Sequence, residues 1–303
     1  RRNRVYASPA IEPGIWRRGA MARTGGVVFS RSAYCSCAER NVHRYAWHPH
    51  DCRLPAWSPR RFCTALAGRR VLIVGDSTLE QWAITLMAQL SDATCVHLVD
   101  YAQSDTLAGR CFGYFNRGGS LSELVREAKA RPDIVILSSG AHIYGKRGCT
   151  QNHNSGAQRL VTLAAFQSSL DHTLRQIAEV TRELAPRAPV FVWQGQRPGH
   201  PSCESARAPE TYEGSKLHNL TRKVARTYFN WPYFPAMDEL ARNLSRASNG
   251  LLRFLDTAPL YSRPDAHPRA SKNWGSDCLH WCVPGPLNEL SRILLAMLLS
   301  GEV

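Results

Sequence analysis

The sequence predicts an α/β fold, a three-layer α/β/α sandwich with a mostly parallel central sheet. Three observations lead to this class: short apolar runs of strand length, helix-length segments between them, and a glycine-containing polar turn after the first run. Strands that alternate with helices favour a parallel sheet covered on both faces. The chain has 303 residues, 44% hydrophobic and 20% charged, which suits one such domain with a single substantial core.

The α/β domain is predicted to follow two N-terminal segments. Residues 1–33 are basic, contain Pro and Gly and show no clear periodicity, so they are expected to form a tail or linker. Residues 34–67 combine cysteines, prolines and aromatics, which predicts an irregular extension packed on the core. The α/β domain itself is expected to fill residues 68–303.

Apolar runs rich in Val, Ile and Leu mark the buried strands, and longer segments with helical periodicity mark the helices. The strands are predicted at residues 70–74, 95–101, 133–137, 189–193 and 251–256. The helices are predicted at residues 78–90, 120–130, 157–184, 212–228, 236–248 and 286–299.

Residues from opposite ends of the chain offer a nucleophile, a base and a carboxylate. Ser77 follows the first strand, whereas Asp277 and His280 share one loop before the last helix. A serine hydroxyl is a poor nucleophile at neutral pH unless an imidazole removes its proton, and a carboxylate orients that imidazole. Because α/β folds bind their ligands at the carboxyl ends of parallel strands, the topology can bring the serine, the histidine and the aspartate together at that edge. We predict a Ser–His–Asp triad, with a plain helix N-cap as the alternative for Ser77.

These motifs resemble the trichome-birefringence-like / PC-esterase family of the GDSL (SGNH) hydrolase superfamily. The resemblance rests on Gly75-Asp76-Ser77 and on the block D-x-x-H-W-C-x-P-G at residues 277–285. The segment at residues 45–55 and an R-x-D-x-H-P block at residues 263–268 extend it. The nucleophile elbow of α/β-hydrolases, G-x-S-x-G, does not surround Ser77. The resemblance implies an SGNH-hydrolase-like fold with a cysteine-bearing N-terminal extension.

Members of that family are secretory-pathway enzymes, mostly polysaccharide O-acetyltransferases, with some esterase relatives. The resemblance implies that Ser77 takes an acetyl group from a donor and passes it to a sugar hydroxyl deprotonated by His280. No bound cofactor is expected, but an acetyl donor is required. The expected partners are a polysaccharide or glycan acceptor and a membrane transporter that delivers the donor. The expected location is the Golgi lumen, with or without a signal anchor, or the cell wall.

Two alternatives remain open at this point. A carbohydrate acetyl esterase would use the same triad with water as the acceptor. A catalytically weakened glycan-binding protein is suggested by three departures from the family pattern: Glu80 where the family often has Arg, Ser138 where it usually has Asn, and Gln194 where an Arg commonly follows the fourth strand.

Further site residues are predicted around the triad. Asp76 is expected to cap the helix that follows it rather than to react. The oxyanion donors implied by the resemblance come from the nucleophile turn and from the loops after the second and third strands: Ser77, Gly109, Gly113, Ser138 and Gly140. For the three glycines, the alternative is a purely structural role in a turn or in close packing. Substrate contacts are expected from a second set, for which purely structural side chains are the alternative: His142, Arg197, His200 and His267.

Ten cysteines suit up to five disulfides and an oxidising compartment. A bridge from Cys278 or Cys282 would brace the loop that carries His280. Zinc held by Cys278, His280 and Cys282 is the competing hypothesis, but structural zinc sites usually present C-x-x-C pairs, which are absent, so no metal is expected. Sequons at Asn219 and Asn243 are compatible with secretion.

The formal net charge is +14, with a pI near 9.7. The arginines are scattered and no nucleic-acid-binding module accompanies them, so nucleic acid is not an expected partner. The preferred hypothesis for the charge is an arginine-rich composition that reflects a GC-rich genome, and attraction of anionic polysaccharides is the functional alternative. No stretch reaches the roughly 18 apolar residues that a membrane span needs. The chain starts at Arg1, which carries no information on targeting.

Overall fold

The structure is a computed structural model. It describes residues 42, 45–50, 52–108, 118–143, 163–201, 203–211, 230–268 and 277–303, and the backbone of residues 15–18 and 158–162. Among these residues, no helix is both long enough and apolar enough to cross a membrane.

Seven strands form two sheets in the described part of the chain. A small antiparallel sheet pairs β1, Ile15–Arg18, with β2, Tyr45–His48. The central sheet is entirely parallel and has the order β4-β3-β5-β6-β7. Its strands are β3 (Val71–Gly75), β4 (Val99–Gln103), β5 (Ile134–Ser138), β6 (Val190–Gln194) and β7 (Leu252–Leu255). All five strands predicted from the sequence are present in this sheet.

Two predictions on the strands need correction. The second strand begins at Val99 rather than at residue 95, because the chain first makes a 3-10 turn at Val96–Leu98, closed by a bond from Leu98 N–H to the Cys95 carbonyl. Within the predicted tail, Ile15–Arg18 forms a strand, because it supplies the hydrogen-bonding partner that the extended backbone of β2 requires.

Six helices lie in the described residues. They are α1 (Pro59–Leu66), α2 (Ser77–Gln89), α3 (Leu121–Arg126), α4 (Gln158–Leu184), α5 (Phe234–Ala247) and α6 (Leu287–Ser300). These match five of the six predicted helices and add α1, whereas the helix predicted at residues 212–228 lies outside the described residues. Local sequence explains some ends: Ser58 caps α1 ahead of Pro59, and Ser120 forms a capping box with Glu123 at α3.

The helices cover both faces of the central sheet and so confirm the three-layer prediction. Val71 and Ile73 of β3 point into one core with apolar residues of α1, α2 and α6. Leu72 and Val74 point into the other core with residues of α3, α4 and α5. This alternation is the period of two that a strand requires, and it explains why β3 is a continuous apolar run.

Candidate active site

Ser77 occupies the turn between β3 and α2, at the carboxyl edge of the sheet. Asp76 is the N-cap of α2, and its Oδ1 accepts hydrogen bonds from Thr78 N (2.9 Å) and Thr78 Oγ1 (2.6 Å). This confirms the capping role predicted for Asp76. It also means that Ser77 does not serve as the cap, so its hydroxyl remains available for other contacts.

Gly75 permits this turn because β3 and β5 approach closely there. A Cβ atom at residue 75 would lie 2.7 Å from the Ser138 carbonyl oxygen and 2.6 Å from the Leu79 side chain. Both distances are shorter than any real Cβ contact, so any larger residue would push β3 away from β5 or α2 away from the sheet. The glycine therefore holds the start of α2 against the sheet edge.

The structure brings together the three residues that the sequence predicts as a triad. Ser77 Oγ lies 3.0 Å from His280 Nε2, and His280 Nδ1 lies 2.7 Å from Asp277 Oδ2. When Nδ1–H donates to the carboxylate, Nε2 is left as the acceptor for the serine hydroxyl. The His280 side chain is 20% exposed and that of Asp277 is 41% exposed, so solvent reaches both groups.

The three-residue spacing of Asp277 and His280 produces a turn that fixes the carboxylate. Asp277 Oδ1 accepts from the backbone N–H of Leu279 (3.2 Å) and of His280 (3.0 Å), while Oδ2 accepts from the imidazole. Burial alone would raise the pKa of Asp277, but the hydrogen bond from His280 and the two backbone donors lower it to about 2. The carboxylate is therefore ionised throughout the neutral range.

The loop at residues 277–282 is held from several sides. A disulfide joins Cys278 to Cys203, and Cys282 is disulfide-bonded as well. The backbone N–H of His200 donates to the Cys278 carbonyl (2.9 Å), and Cys282 N–H donates to the Ala266 carbonyl (2.8 Å). The prediction that a disulfide braces the His280 loop is thus confirmed.

The competing zinc hypothesis is wrong for these cysteines. Both Cys278 and Cys282 are oxidised, and a disulfide sulfur cannot act as the thiolate ligand that zinc requires. Glu204 lies near the same bridge, with its Oε2 3.6 Å from Cys278 Sγ. Cys203, Glu204 and Cys278 are close enough to hold an ion, but two of their three ligand atoms are bonded to each other.

Arg197 lies beneath the nucleophile turn rather than at its surface. Its side chain is 1% exposed and donates through Nε to Thr78 Oγ1 (2.9 Å) and through Nη1 to Gln194 Oε1. Its Nη2 lies 3.9 Å from Asp76 Oδ1. Burial raises the pKa of Asp76, but Arg197 and His142 overcome this effect and lower it. Arg197 therefore supports the turn from inside, which corrects the expectation that it contacts substrate.

The predicted oxyanion residues differ in what they can offer. Ser77 N–H lies at the N-terminus of a 13-residue helix and has no acceptor among the described residues. Ser138, which pairs with Gly75 across the sheet, is buried, and its Oγ has no hydrogen-bond partner in the described part of the chain. Gly140 is also buried, and a Cβ atom added there would collide with the Gln196 side chain. Gly109 and Gly113 lie outside the described residues.

The three histidines predicted to bind substrate fall into two groups. His142 is half-buried in the turn after β5, close enough to Asp76 to lower the pKa of that carboxyl group. His200 and His267 are buried and bonded to each other, with 2.7 Å between Nδ1 and Nε2. Because neither of these two rings reaches solvent, the expectation of substrate contact is corrected for both: they lie under the His280 loop.

Sequence reasoning missed three polar residues that shape the site. Gln81 Nε2 donates to the Trp281 carbonyl and Gln81 Oε1 accepts from Trp281 N–H, both at 2.9 Å. Tyr101 OH donates to the Gly75 carbonyl (2.8 Å), and Asn230 Nδ2 donates to the carbonyls of Gly140 (3.0 Å) and Ile143 (2.9 Å). The only sequence signal for Gln81 is its position one helical turn after Ser77.

Comparisons with known proteins identify the family of this chain. Residues 118–297 match the model of the PC-Esterase family, described as a GDSL/SGNH-like Acyl-Esterase family found in Pmr5 and Cas1p. Protein trichome birefringence-like 19 of Arabidopsis thaliana is 46% identical over 318 residues, which cover 86% of this chain and 72% of that protein. Xyloglucan O-acetyltransferase 1 of Arabidopsis thaliana is 23% identical over 310 residues, covering 86% of this chain and 71% of that protein.

Among solved structures, Est24, a carbohydrate acetylesterase from Sinorhizobium meliloti, matches with a TM-score of 0.42 and 14% identity. It covers 78% of this chain and 100% of its own. The family model spans more than half of this chain, and it matches the terminal block that carries Asp277 and His280. The chain therefore belongs to the PC-esterase family of GDSL/SGNH-like acyl-esterases.

Proposed function

We propose that this protein is an O-acetyltransferase that moves an acetyl group through an ester on Ser77 to a hydroxyl of a polysaccharide or glycoconjugate. The observation that carries the proposal is the hydrogen-bonded series from Ser77 Oγ through His280 to Asp277. It lies at the carboxyl edge of a parallel sheet, where α/β folds bind their ligands. A relative of this chain is named as a xyloglucan O-acetyltransferase, which supports acetyl transfer to a polysaccharide.

In the first step Ser77 Oγ attacks the acetyl carbonyl of the donor while His280 Nε2 accepts the hydroxyl proton. Asp277 accepts from Nδ1–H and stabilises the positive charge that develops on the ring. The negative charge on the acetyl oxygen is met by Ser77 N–H and by the positive end of the α2 dipole. The bond to the donor then breaks, its leaving group takes the proton from Nε2, and Ser77 carries the acetyl ester.

In the second step His280 Nε2 accepts a proton from a sugar hydroxyl as the sugar oxygen attacks the acetyl carbon. The ester bond to Ser77 breaks, and the proton on Nε2 returns to Ser77 Oγ. The acetyl group now forms an ester with the sugar, and the triad is regenerated. Neither step needs a metal or an organic cofactor, because the imidazole handles each proton.

Hydrolysis is the second candidate, because the His280 ring edge is open to solvent and water can take the place of the sugar. The two outcomes share the Ser77 ester and differ only in the acceptor of the second step. Catalytic weakening is the third candidate, because Glu80, Ser138 and Gln194 stand where the family usually has Arg, Asn and Arg.

The disulfides indicate the cellular compartment in which the protein works. Disulfides at Cys63–Cys95 and Cys203–Cys278 fit an oxidising compartment, as in the secretory pathway. Within that pathway we propose the Golgi lumen or the cell wall, where polysaccharide acceptors are found. If the acetyl donor is made outside the Golgi lumen or the cell wall, a membrane transporter must deliver it, so we propose such a transporter as a partner.

The test is mass spectrometry of the protein and its products after incubation with an activated acetyl ester, with and without a panel of oligosaccharides. We compare the unmodified protein with Ser77→Ala and with Ser91→Ala, which changes an exposed serine beyond the end of the same helix. Acetylated sugar that disappears only in Ser77→Ala establishes transfer. Free acetate alone, with the same dependence, establishes hydrolysis. Products that form equally in Ser77→Ala overturn the serine mechanism.

A further inference from the structure

His200 and His267 form a buried pair of imidazoles between two carbonyl groups. His200 Nδ1 lies 2.7 Å from His267 Nε2. At one end His200 Nε2 lies 2.9 Å from the Tyr261 carbonyl oxygen, and at the other His267 Nδ1 lies 2.6 Å from the His280 carbonyl oxygen. The series therefore links the interior of the protein to the backbone of the residue that we propose as the catalytic base.

The protons that these contacts require can be counted. A carbonyl oxygen only accepts, so both outer ring nitrogens must carry a proton to bond with Tyr261 and His280. The inner contact between His200 and His267 needs one proton between its two nitrogens. Three protons are needed, whereas two neutral imidazoles carry only two. Without the third proton, a nitrogen lone pair faces a carbonyl oxygen at one end of the series, which is repulsive in a buried site.

We propose that His200 and His267 share one proton beyond those of two neutral rings, and that this proton completes a hydrogen bond that positions His280 through its backbone carbonyl. Both are thus positioning residues rather than substrate ligands. The link to catalysis rests on the proposed function, whereas the proton count does not.

Several neighbours favour or oppose the extra charge. The indole ring of Trp281 lies 4.4 Å from the His267 ring, centroid to centroid, which favours a cation. Burial lowers the pKa of His200 to about 4, and the guanidinium of Arg263 acts in the same direction. The bond to the Tyr261 carbonyl and the carboxylate of Asp265 act in the opposite direction. This lowered pKa opposes the extra proton near neutral pH, so the three hydrogen bonds of the series and the Trp281 ring must together outweigh burial. Losing one of these contacts should therefore release the proton.

Other ionisable groups lie on the elements that contact the pair. Asp238 of α5 accepts from Tyr261 OH (2.7 Å), behind the carbonyl that holds His200. Asp277 and the ring of His280 lie on the loop that His267 holds, and Arg197 and Glu204 lie on the chain segment that contains His200. Titration of each must be separated from that of the pair, which is why the test uses variants of the pair itself.

Two variants of His267 separate the positioning bond from the shared proton. His267→Asn keeps an N–H close to the position of Nδ1, so it can still donate to the His280 carbonyl, but it has no second nitrogen for His200. His267→Phe keeps a ring of similar shape and removes both contacts. His200→Phe provides an independent disruption of the pair if His267→Phe fails to fold.

The proton count is tested by nitrogen-15 NMR of histidine-labelled protein across the pH range in which it is folded. We expect one ring of the pair to carry protons on both nitrogens near neutral pH, and we expect His200 to titrate at least one pH unit lower in both His267 variants. Two rings with one proton each at every pH, or an unchanged titration of His200, would overturn the shared proton.

The positioning role is tested by kinetics with p-nitrophenyl acetate and by the NMR signal of the His280 Nδ1 proton. We expect His267→Phe to lower kcat by about tenfold to a hundredfold with little change in KM, and His267→Asn to restore most of it. The His280 proton signal should shift in the Phe variant and not in the Asn variant. Equal effects of both variants on that signal would refute positioning. The signal can be measured even if Ser77 proves unreactive, so failure of the positioning role can be distinguished from failure of the proposed function.

Discussion

Gln81 and Trp281 exchange two hydrogen bonds, each 2.9 Å long, that join the nucleophile helix to the loop of the catalytic base. Gln81 lies one helical turn after Ser77, and Trp281 directly follows His280. The same two chain segments therefore meet twice, once through the amide of Gln81 and once through the bond between Ser77 and His280. Because the Gln81 side chain is buried, this second link fixes the distance across which the serine proton would travel.

Replacing Gln81 by Met should weaken both stability and activity. Met has a similar shape but leaves the N–H and carbonyl of Trp281 buried without partners, so we expect the free energy of unfolding to fall by about 2–4 kcal/mol. We expect kcat to fall about tenfold with KM nearly unchanged, since the displaced group is the base. Chemical denaturation and steady-state kinetics provide these two values.

Gln89 offers a matched control on the same helix. Its side-chain nitrogen and oxygen are buried and have no hydrogen-bond partner among the described residues. Gln89→Met should therefore be neutral or slightly stabilising and should leave kcat unchanged. If both variants lost stability to the same extent, the paired bonds to Trp281 would not be the cause.

Asp277→Asn should reduce the rate of Ser77 acetylation by roughly a thousandfold or more, because the amide no longer stabilises the charged imidazole and favours the wrong tautomer.

The same substitution should also remove a pH-dependent contribution to the free energy of unfolding. The pKa of Asp277 is lowered to about 2 in the folded state, below its ordinary value of 3.8. Its contribution to stability is therefore present above about pH 4 and is lost as the pH falls towards 2. Denaturation curves of the protein and the variant should converge over that window, and parallel curves would contradict this assignment.

Asp238 should produce the opposite pH dependence. Burial raises the pKa of this carboxyl group to about 7, although bonds from Gln196 N–H and Tyr261 OH favour its ionised form. The folded state thus binds a proton more tightly than the unfolded state, so stability falls as the pH rises from about 4 to 7, by up to about 4 kcal/mol. Asp238→Asn mimics the neutral acid and should flatten this slope. We would abandon the raised pKa if the difference between the two proteins did not change with pH.

Sequence reasoning predicted the elements near Ser77 and His280 because apolar periodicity is a local signal. The five buried strands and the order of the triad residues could be read directly, and one loop carrying both Asp277 and His280 constrained the site further. Sequence reasoning could not place Arg197, because Arg197 contacts Asp76 and Thr78 only when β3 and β6 lie in the same sheet. His200 and His267 looked like substrate ligands for the same reason: nothing in their local sequence shows that both rings are buried.

The disulfide between Cys203 and Cys278 should matter for catalysis as well as for stability, since it ends one residue from Asp277 and two from His280. Replacing both cysteines by Ser opens a link between residues 75 positions apart, and we expect the free energy of unfolding to fall by about 3–5 kcal/mol.

The bridge between Cys63 and Cys95, 32 positions apart, provides the control, because it joins α1 to the turn before β4, away from the triad. Its removal should cost a comparable free energy, about 3–4 kcal/mol, and leave kcat unchanged at a temperature where both variants are folded. A selective loss of kcat in the Cys203/Cys278 variant, measured with p-nitrophenyl acetate, would show that this bridge holds the base in place. Equal retention of kcat in both variants would mean that the hydrogen bonds to Cys278, Trp281 and Cys282 hold the loop without it.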